Sequence, residues 1–194
     1  MRGEDVGLTL VSICNFSVRS QDQSRDEGVP TMSTETTTEV LAVSRTIDAP
    51  VGTVFGVLAD PAHHAAIDGT GWVREPLDPA ALTEIGQIFG MGMYHSNHPD
   101  GDYRMHNRVE VLDPPRSIAW QPGQYGPDGE IGYGGWSWRY DLAEEGAGAC
   151  RATLTYDWSA VPAFLREHIA FPPFGEDHLT RSLDNLAALA ERAR

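Results

Sequence analysis

The fold is decided by a stretch that begins at residue 40, ends at residue 61 and reads VLAVSRTIDAPVGTVFGVLADP. Its first residues are rich in β-branched side chains, which predicts a strand over Val40–Ile47. Asp48-Ala49-Pro50 then predicts a helix start, because a capping residue precedes a proline in the first turn. Apolar residues at helical spacing continue to Leu58, and Asp60-Pro61 predicts that this helix ends and a second short one follows. The stretch is therefore a strand followed by two short helices.

About six further strands are predicted between residues 72 and 158, because apolar and polar residues alternate there between turn signals. The clearest alternation runs from Tyr103 to Leu112, which is typical of a strand with one buried and one wet face. Pro122 to Gly132 is rich in glycine and proline and is expected to be a loop.

The chain ends in an amphipathic helix of about five turns. Its apolar stripe consists of Leu179, Leu183, Leu186, Ala187 and Ala190. Strands that follow one another without helices prefer antiparallel pairing, and the helix must bury its stripe against them. The prediction is an α+β fold in which a curved antiparallel sheet of about seven strands, in the order β-α-α-β6-α, wraps around the long C-terminal helix. Such a sheet leaves a cavity between itself and the helix.

Several stretches resemble one known family, the helix-grip superfamily, also called SRPBCC or START-like, and in particular its polyketide cyclase/dehydrase-like branch. The resemblance lies in residues 43–50, 54–55 and 58–61, in the middle strands at 108–115 and 118–120, and in the last hairpin at 134–138 and 153–158. It covers about residue 40 to the end. It implies the helix-grip fold, and since members share no universal catalytic residues, no catalytic position is carried over.

The chain divides into two predicted parts. Residues 1–38 are expected to be a disordered N-terminal extension, because the polar, Ser- and Thr-rich segment before Val40 shows no periodicity. Residues 39–194 are expected to form the helix-grip domain. Met32 is followed by residues typical of a protein N-terminus, so we expect translation to start there.

Composition excludes several classes of partner. The formal net charge is -14, and every formal cation is an arginine; these arginines are scattered along the chain, so no nucleic-acid partner is expected. No apolar run approaches the ~20 residues of a membrane span. Cys14 and Cys150 form neither a disulfide framework nor a zinc pattern, and a reducing cytoplasm is the expected location. No cofactor is predicted, and nothing indicates an oligomeric state.

Large aromatic and methionine side chains occupy the strand faces assigned inward, together with two polar residues. The predicted ligand-binding residues are Phe89, Met91, Met93, His95, Met105, Asn107, Trp120, Trp136, Trp138, Tyr156 and Trp158. The alternative is ordinary core packing. For Asn107 the alternative is a structural hydrogen bond to backbone or water.

The seven histidines are the natural candidates for proton transfer near neutral pH. His63 and His64 are expected on a wet surface, with the rim of the pocket as the alternative, and His178 is expected to cap the pocket from the long helix. His95 and His98 resemble a pair of metal ligands, but their spacing is typical of a loop. Asp100 and Asp102 are the only candidates for a third ligand, so no metal site is predicted. Spacing singles out no histidine, and no catalytic residue is assigned.

The predicted function is binding of a small apolar or aromatic ligand, such as a polyketide, lipid or sterol-like compound, in the internal cavity. An enzymatic form would be a polyketide cyclase, aromatase or dehydratase that positions a flexible chain beside one general acid or base. The alternative is a non-enzymatic interaction, accessory or co-chaperone module of the same fold. A fully packed interior would favour the alternative, and an open cavity containing histidine or asparagine would favour ligand chemistry.

Overall fold

The computed structural model describes residues 39–96 and 98–193. The strands are β1 (Val40–Ile47), β2 (Val73–Pro76), β3 (Ile88–Tyr94), β4 (Asp102–Asp113), β5 (Ser117–Tyr125), β6 (Ile131–Tyr133), β7 (Ser137–Glu145) and β8 (Ala149–Asp157). The helices are α1 (Val51–Leu58), α2 (His64–Ile67), α3 (Ala163–Arg166) and α4 (Glu176–Ala190), with 3-10 turns at Pro61–His63 and Glu191–Ala193. The order of a strand, two short helices, a run of strands and a long helix is confirmed.

All strands belong to one antiparallel sheet. Its order is β1-β8-β7-β5-β4-β3-β2, and β6 pairs with β5 beside this row. The sheet is curled around α4, which confirms the α+β helix-grip fold.

The loop expected at Pro122–Gly132 is wrong in part, because β5 continues to Tyr125 and β6 begins at Ile131. This is why the sheet has eight strands rather than about seven. The strand tolerates Pro122 because its neighbour changes there: the pairing with β7 ends at Trp120, and the pairing with β6 starts at Gly123. Pro122 therefore has no paired residue on that side of β5, where its missing N–H breaks no ladder bond, while on the other side it is paired with Asn107 of β4.

Strand β4 carries a bulge at Glu110. Val109 pairs with Trp120, whereas Val111 pairs with Ala119, so one residue of β4 is left over. An extra residue bends a strand and increases its twist. The bulge therefore contributes to the curvature that closes the sheet around the helix.

The core lies between the sheet and α4. The predicted apolar stripe of that helix is confirmed, since all its members are completely buried: Leu179, Leu183, Leu186, Ala187 and Ala190. Burying a leucine side chain contributes about 1.5–3 kcal/mol. The stripe faces β1, β8 and the helices α1 and α2, so α4 holds the beginning of the domain to its end.

The expected Asp48 cap of α1 is wrong. Pro50 occupies the N-cap position of that helix, and no side chain caps it. The backbone N–H of Asp48 instead donates to Glu191 Oε1 at 3.1 Å, at the C-terminal end of α4. Asp60 acts as a cap further along, where its carboxylate accepts from the Ala62 N–H at 3.0 Å.

Glu39, the first described residue, is attached to the domain by two bonds. Its carboxylate pairs with Arg166 Nη1 at 2.6 Å, and its carbonyl accepts from the Trp158 N–H at 3.0 Å. The predicted disorder of residues 1–38 and the expected start at Met32 lie outside the described residues. Over residues 39–96 and 98–193, no helix has the length and apolarity needed to cross a membrane.

Candidate ligand-binding cavity

A cavity of about 230 Å³ lies between the sheet and the first half of α4. Strands β3, β4, β5, β7 and β8 supply one wall, and α4 supplies the opposite one. The segment between α2 and β2 and the segment before α4 form further sides of the cavity. The wall is therefore assembled from parts of the chain that are far apart in sequence.

Most of the side chains predicted from the strand faces lie in this wall. They are Phe89, Met91, Met93, His95, Met105, Asn107, Trp120, Trp136, Trp138 and Tyr156. Trp158 does not line the cavity; it is buried in the core, with its ring stacked 5.4 Å from that of Tyr156. It follows the last residue of β8, beyond the part of the strand that faces the cavity. Ligand contact by the ten wall residues stays a prediction.

The remaining wall residues were not among those predicted to bind a ligand. They are His64, Ile67, Asp68, Thr70, Trp72, Val73, His98, Tyr103, Pro122, Tyr140, Ile169, Phe171, Pro173, Phe174, His178 and Ser182. His178 was already expected to cap the pocket from the long helix. Spacing could have found two more: Tyr140 lies two residues after Trp138 on one strand face, and Ser182 lies four residues after His178 on one helix face. The residues in the two covering segments carry no periodic signal.

Phe174 is the centre of the aromatic packing that joins the cover to the sheet. Its ring centroid lies 5.4 Å from Trp138, 4.9 Å from Tyr156 and 4.5 Å from His178. Each such aromatic pair contributes about 0.5–1.5 kcal/mol beyond simple burial. The segment before α4 is therefore held firmly over the strands.

Two glycines allow the close approaches that shape the wall. A Cβ at Gly69 would lie 2.9 Å from the Ser182 nitrogen and closer still to the His178 carbonyl oxygen. The Gly69 N–H also donates to Ser182 Oγ at 3.0 Å, which fixes this loop against α4. Gly135 has a φ of +88°, and a Cβ there would overlap the Ala160 carbonyl, so the turn that presents Trp136 requires glycine.

His64 is a wall residue, and its expected place on a wet surface is wrong. The side chain is 6% exposed, and its ring stacks on Trp120 with centroids 5.0 Å apart. Because the Leu58 carbonyl can only accept, His64 Nε2 donates the 2.9 Å hydrogen bond between them. Burial lowers the pKa of His64 to about 4, so the ring is neutral at neutral pH. His63 is more exposed and lies 3.7 Å from an Asp60 oxygen.

The Asp68 carboxylate organises the loop that closes one side of the cavity. It accepts hydrogen bonds from the backbone N–H groups of Thr70, Trp72 and Val73, at 3.1, 2.7 and 3.0 Å. The Thr70 hydroxyl donates to it as well, at 2.8 Å. Every contact is a donor to the carboxylate, as an ionised, acceptor-only group requires. Asp68 is thus a negative charge fixed in the wall by its own loop.

His178 and Tyr140 lie close to this charge. Burial lowers the pKa of His178, while the negative charge of Asp68 opposes that shift. Burial raises the pKa of Tyr140, and Asp68 raises it further. His178 is 4% exposed, and its Nδ1 is buried without a hydrogen-bond partner. An unsatisfied buried polar atom costs about 1–3 kcal/mol. Among the described wall residues, this nitrogen is the one buried side-chain nitrogen or oxygen atom without a hydrogen-bond partner.

Asn107 follows the structural alternative for its side-chain amide. Its Nδ2 donates to the Phe89 carbonyl at 3.3 Å, across the β3–β4 pair. At another part of the wall, the His95 ring lies edge-on to Trp72 at 4.6 Å, and His98 stacks on Tyr103 at 4.6 Å. Burial lowers the pKa of His95. Among the described residues, no cluster of three or more His, Cys, Asp or Glu side chains could hold a metal ion.

A family model described as "Polyketide cyclase / dehydrase and lipid transport" matches residues 38–191. The chain belongs to this family. An uncharacterized protein of Mycobacterium tuberculosis is 29% identical to this chain over 123 residues, which are 62% of this chain and 49% of that protein. The chain thus spans about half the length of the curated relatives it matches.

Solved structures share the fold of this polyketide cyclase/lipid transport chain. The Mycobacterium smegmatis protein Ms6760 is similar with a TM-score of 0.58 and 19% identity, over 81% of this chain and 94% of that one. The ginseng major latex-like protein 151 from Panax ginseng is similar with a TM-score of 0.53 and 13% identity, over 78% and 96%. At these identities the likeness concerns the fold alone.

The wall of this family member combines aromatic and methionine surface with few polar groups. Asp68 is the one side chain with a fixed charge among the described wall residues, and no arginine joins it there. The buried histidines His64 and His178 are neutral near neutral pH, because burial lowers the pKa of each. Such a wall can hold an organic molecule by apolar contact and orient it by hydrogen bonds.

Proposed function

We propose that this protein binds a small apolar or aromatic organic molecule in the cavity between the sheet and α4. The observation that carries the proposal is the cavity itself, about 230 Å³ in volume and walled mainly by aromatic and methionine side chains. Binding sites for small molecules are concave, mostly apolar and equipped with few polar groups. A protein with only a structural role gains stability by filling such a space, because a cavity costs about 24 cal/mol per Å³.

The size of the cavity favours compact ligands. Pockets for drug-sized molecules have volumes of about 300–1,000 Å³, and this cavity is somewhat smaller. An aromatic compound of two or three fused rings, as a polyketide supplies, suits it better than a whole lipid or sterol. A longer molecule would have to leave part of its chain outside.

The interaction-module alternative receives less support. An interaction module predicts a fully packed interior, whereas open space lies beside His178, His64 and Asn107 in the described wall. Two of these three use a side-chain donor within the protein, His64 towards Leu58 and Asn107 towards Phe89. Their bonds keep the wall in shape while the aromatic surface stays free for a ligand.

Cyclisation or dehydration of the ligand is the enzymatic form of this proposal. A neutral imidazole in a cavity poor in water can accept a proton from an acidic carbon of a bound polyketide chain. His178 is the histidine best suited to this, because its Nδ1 has no partner among the described residues. Carriage and turnover are separated by whether the recovered ligand keeps the structure of the molecule supplied: dehydration lowers its mass by that of water, whereas cyclisation alone keeps the mass and is detected by chromatographic retention and fragmentation.

Native mass spectrometry of the purified protein, followed by extraction and identification of any bound molecule, tests the proposal. We expect an apolar or aromatic compound to copurify, or one to bind from a panel of polyketides, fatty acids and sterols. Trp136→Ala removes a large part of the wall and should weaken binding at least tenfold.

Phe164→Ala is the matched control, because Phe164 is 43% exposed and lies outside the cavity wall. This variant should bind like the unaltered protein. A protein that purifies empty and binds nothing in the panel would contradict the proposal and favour the interaction module.

A further inference from the structure

We propose that the ligand offers a hydrogen-bond donor, a hydroxyl or an N–H group, to two acceptors at the inner end of the cavity, His64 Nδ1 and Asn107 Oδ1. This inference rests on the proposed function, because it concerns a ligand in the same cavity. It assigns the chemical class of that ligand: a compact apolar skeleton with a donor on the edge that enters first, rather than one that carries only ketone, ether or carboxylate oxygens.

The inner end of the cavity is the part whose wall side chains are buried. Phe89 of β3 is paired with Asn107 of β4, and both residues are buried. Further along the same two strands, Met93 is paired with Tyr103, and both are only half-buried. The His64 ring belongs to the inner end, since it lies edge-on to Phe89 at 5.4 Å. A ligand that fills the cavity therefore brings one edge to His64 and Asn107.

His64 presents an acceptor because its donor is used inside the protein. Its Nε2 lies 2.9 Å from the Leu58 carbonyl oxygen, which can only accept, so the proton of the neutral ring is on Nε2 and Nδ1 is the acceptor. No described group bonds to this Nδ1, yet it is not one of the enclosed nitrogens without a partner, which are those of His106 and His178. It therefore has accessible surface, and the cavity that His64 lines is the space it faces.

Asn107 shows the same division between donor and acceptor. Its Nδ2 donates to the Phe89 carbonyl at 3.3 Å, and because that carbonyl can only accept, the bond fixes which end of the amide turns towards the strand. Oδ1 has no partner among the described residues and is not enclosed either. Asn107 lines the cavity from within β4 and is 6% exposed. The cavity is therefore the space to which this oxygen is open.

The two acceptors cannot become donors when a ligand arrives. The His64 ring is stacked on Trp120 with centroids 5.0 Å apart, and turning it over would break its bond to Leu58. Burial lowers the pKa of His64 to about 4, so the ring takes up no second proton at neutral pH. A ligand that only accepts hydrogen bonds would remove His64 Nδ1 and Asn107 Oδ1 from water and leave them unmet, which is unfavourable in an enclosed site.

Two matched probes test the inference by isothermal titration calorimetry at pH 7.5: 2-naphthol and 2-fluoronaphthalene. They share one ring system and are similar in size, but only 2-naphthol can donate a hydrogen bond. We expect 2-naphthol to bind about tenfold more tightly, the effect of one hydrogen bond to an acceptor that is otherwise unmet.

Two substitutions remove the acceptors one at a time. His64→Phe keeps an aromatic ring against Trp120, and Asn107→Leu keeps the approximate size of the side chain. At least one of them should reduce the preference for 2-naphthol to about twofold or less, according to which acceptor the hydroxyl meets. The comparison of the two probes on the unaltered protein needs neither variant, so it stands if they do not fold.

Two control variants should keep the full preference for 2-naphthol. Tyr140→Phe removes a hydroxyl group from the same wall and keeps the ring. His168→Gln changes an exposed histidine outside the wall.

The outcomes separate the two proposals. Equal affinity of the two probes for the unaltered protein overturns the donor requirement and leaves ligand binding in place. So does a preference that survives both acceptor substitutions, or a copurified ligand without an O–H or N–H group. Failure of both probes to bind, together with a protein that purifies empty, overturns both proposals.

Discussion

The two halves of α4 have different roles, although their buried side chains lie on one continuous face of the helix. The second half presents Leu183, Leu186, Ala187 and Ala190, all completely buried against the rest of the core. The first half presents His178 and Ser182 on the same side, and there the sheet stands away and encloses the cavity. Leu179 is completely buried between them.

The difference shows where close packing along α4 gives way to the cavity. Interiors are packed to crystal-like density, and apolar side chains achieve this in the second half of the helix. Buried polar side chains need partners, and one of them in the first half, His178 Nδ1, has none. A break in an apolar stripe by polar residues at helical spacing therefore marks the part of the helix that faces the cavity.

The largest expected effect lies in the packed half. Leu183→Ala removes a completely buried side chain and should lower the free energy of unfolding by about 2–5 kcal/mol. Leu189→Ala, on the same helix but only partly buried, should cost less than half as much. Urea denaturation followed by circular dichroism measures both, and equal losses would contradict the assignment of a packed half.

The next largest effect is a loss of stability in acid, which arises at His64 in the cavity wall. The pKa of His64 is about 4 in the folded protein and 6.5 ordinarily, so the unfolded chain binds the proton more tightly. Its contribution to stability is complete above pH 6.5 and is lost as the pH falls towards 4, by about 3 kcal/mol in all. Asp141, whose pKa is lowered by Arg139, loses its contribution only below its ordinary value of 3.8.

Denaturation between pH 7 and pH 4.5 measures this loss. His64→Gln should flatten the dependence of stability on pH, because glutamine does not titrate in this range and can still donate to the Leu58 carbonyl. His168→Gln, at an exposed histidine, should leave the slope unchanged. A His64 that titrates near 6.5 in nuclear magnetic resonance spectra would exclude this explanation.

A smaller loss is expected where the loop meets α4. Gly69→Ala forces a methyl group against the Ser182 nitrogen and the His178 carbonyl and should cost about 1–3 kcal/mol. Gly56→Ala, in α1 with open space around it, should instead stabilise the protein by about 0.5–1 kcal/mol. Thermal unfolding distinguishes the opposite signs, and stabilisation by both changes would mean that the loop does not press on the helix.

The smallest effect belongs to the outer face of α4. Asp184 pairs with Arg45 of β1, and both side chains are more than two-fifths exposed. Asp184→Asn should change the free energy of unfolding by less than about 1 kcal/mol, because water and salt screen such pairs. A loss of more than about 2 kcal/mol would show that this face, rather than the apolar stripe, attaches the helix to the sheet.

The strand faces explain how much of the site was predictable. Alternation along β3, β4 and β7 placed Phe89, Met105 and Trp138 in the wall, because neighbouring side chains on a strand point to opposite faces. The same reasoning failed at Trp158, since periodicity continues past the residue at which a strand leaves the cavity. It also failed at His64, whose short helix α2 has too few residues for a periodic pattern.

The sequence by itself determined the order of the elements, the antiparallel sheet and the buried stripe of α4, because each follows from the local pattern of apolar and polar residues. Only the tertiary structure decided that Asp68, Phe174 and His178 meet in one wall, and that β5 runs through Pro122. Asp68 and Phe174 lie in loops, His178 lies in the first turn of α4, and Pro122 lies where β5 changes its neighbouring strand, so the position of each depends on what packs against it. Contacts between distant segments are set by shape and close approach, as at Gly69, and no local pattern encodes them.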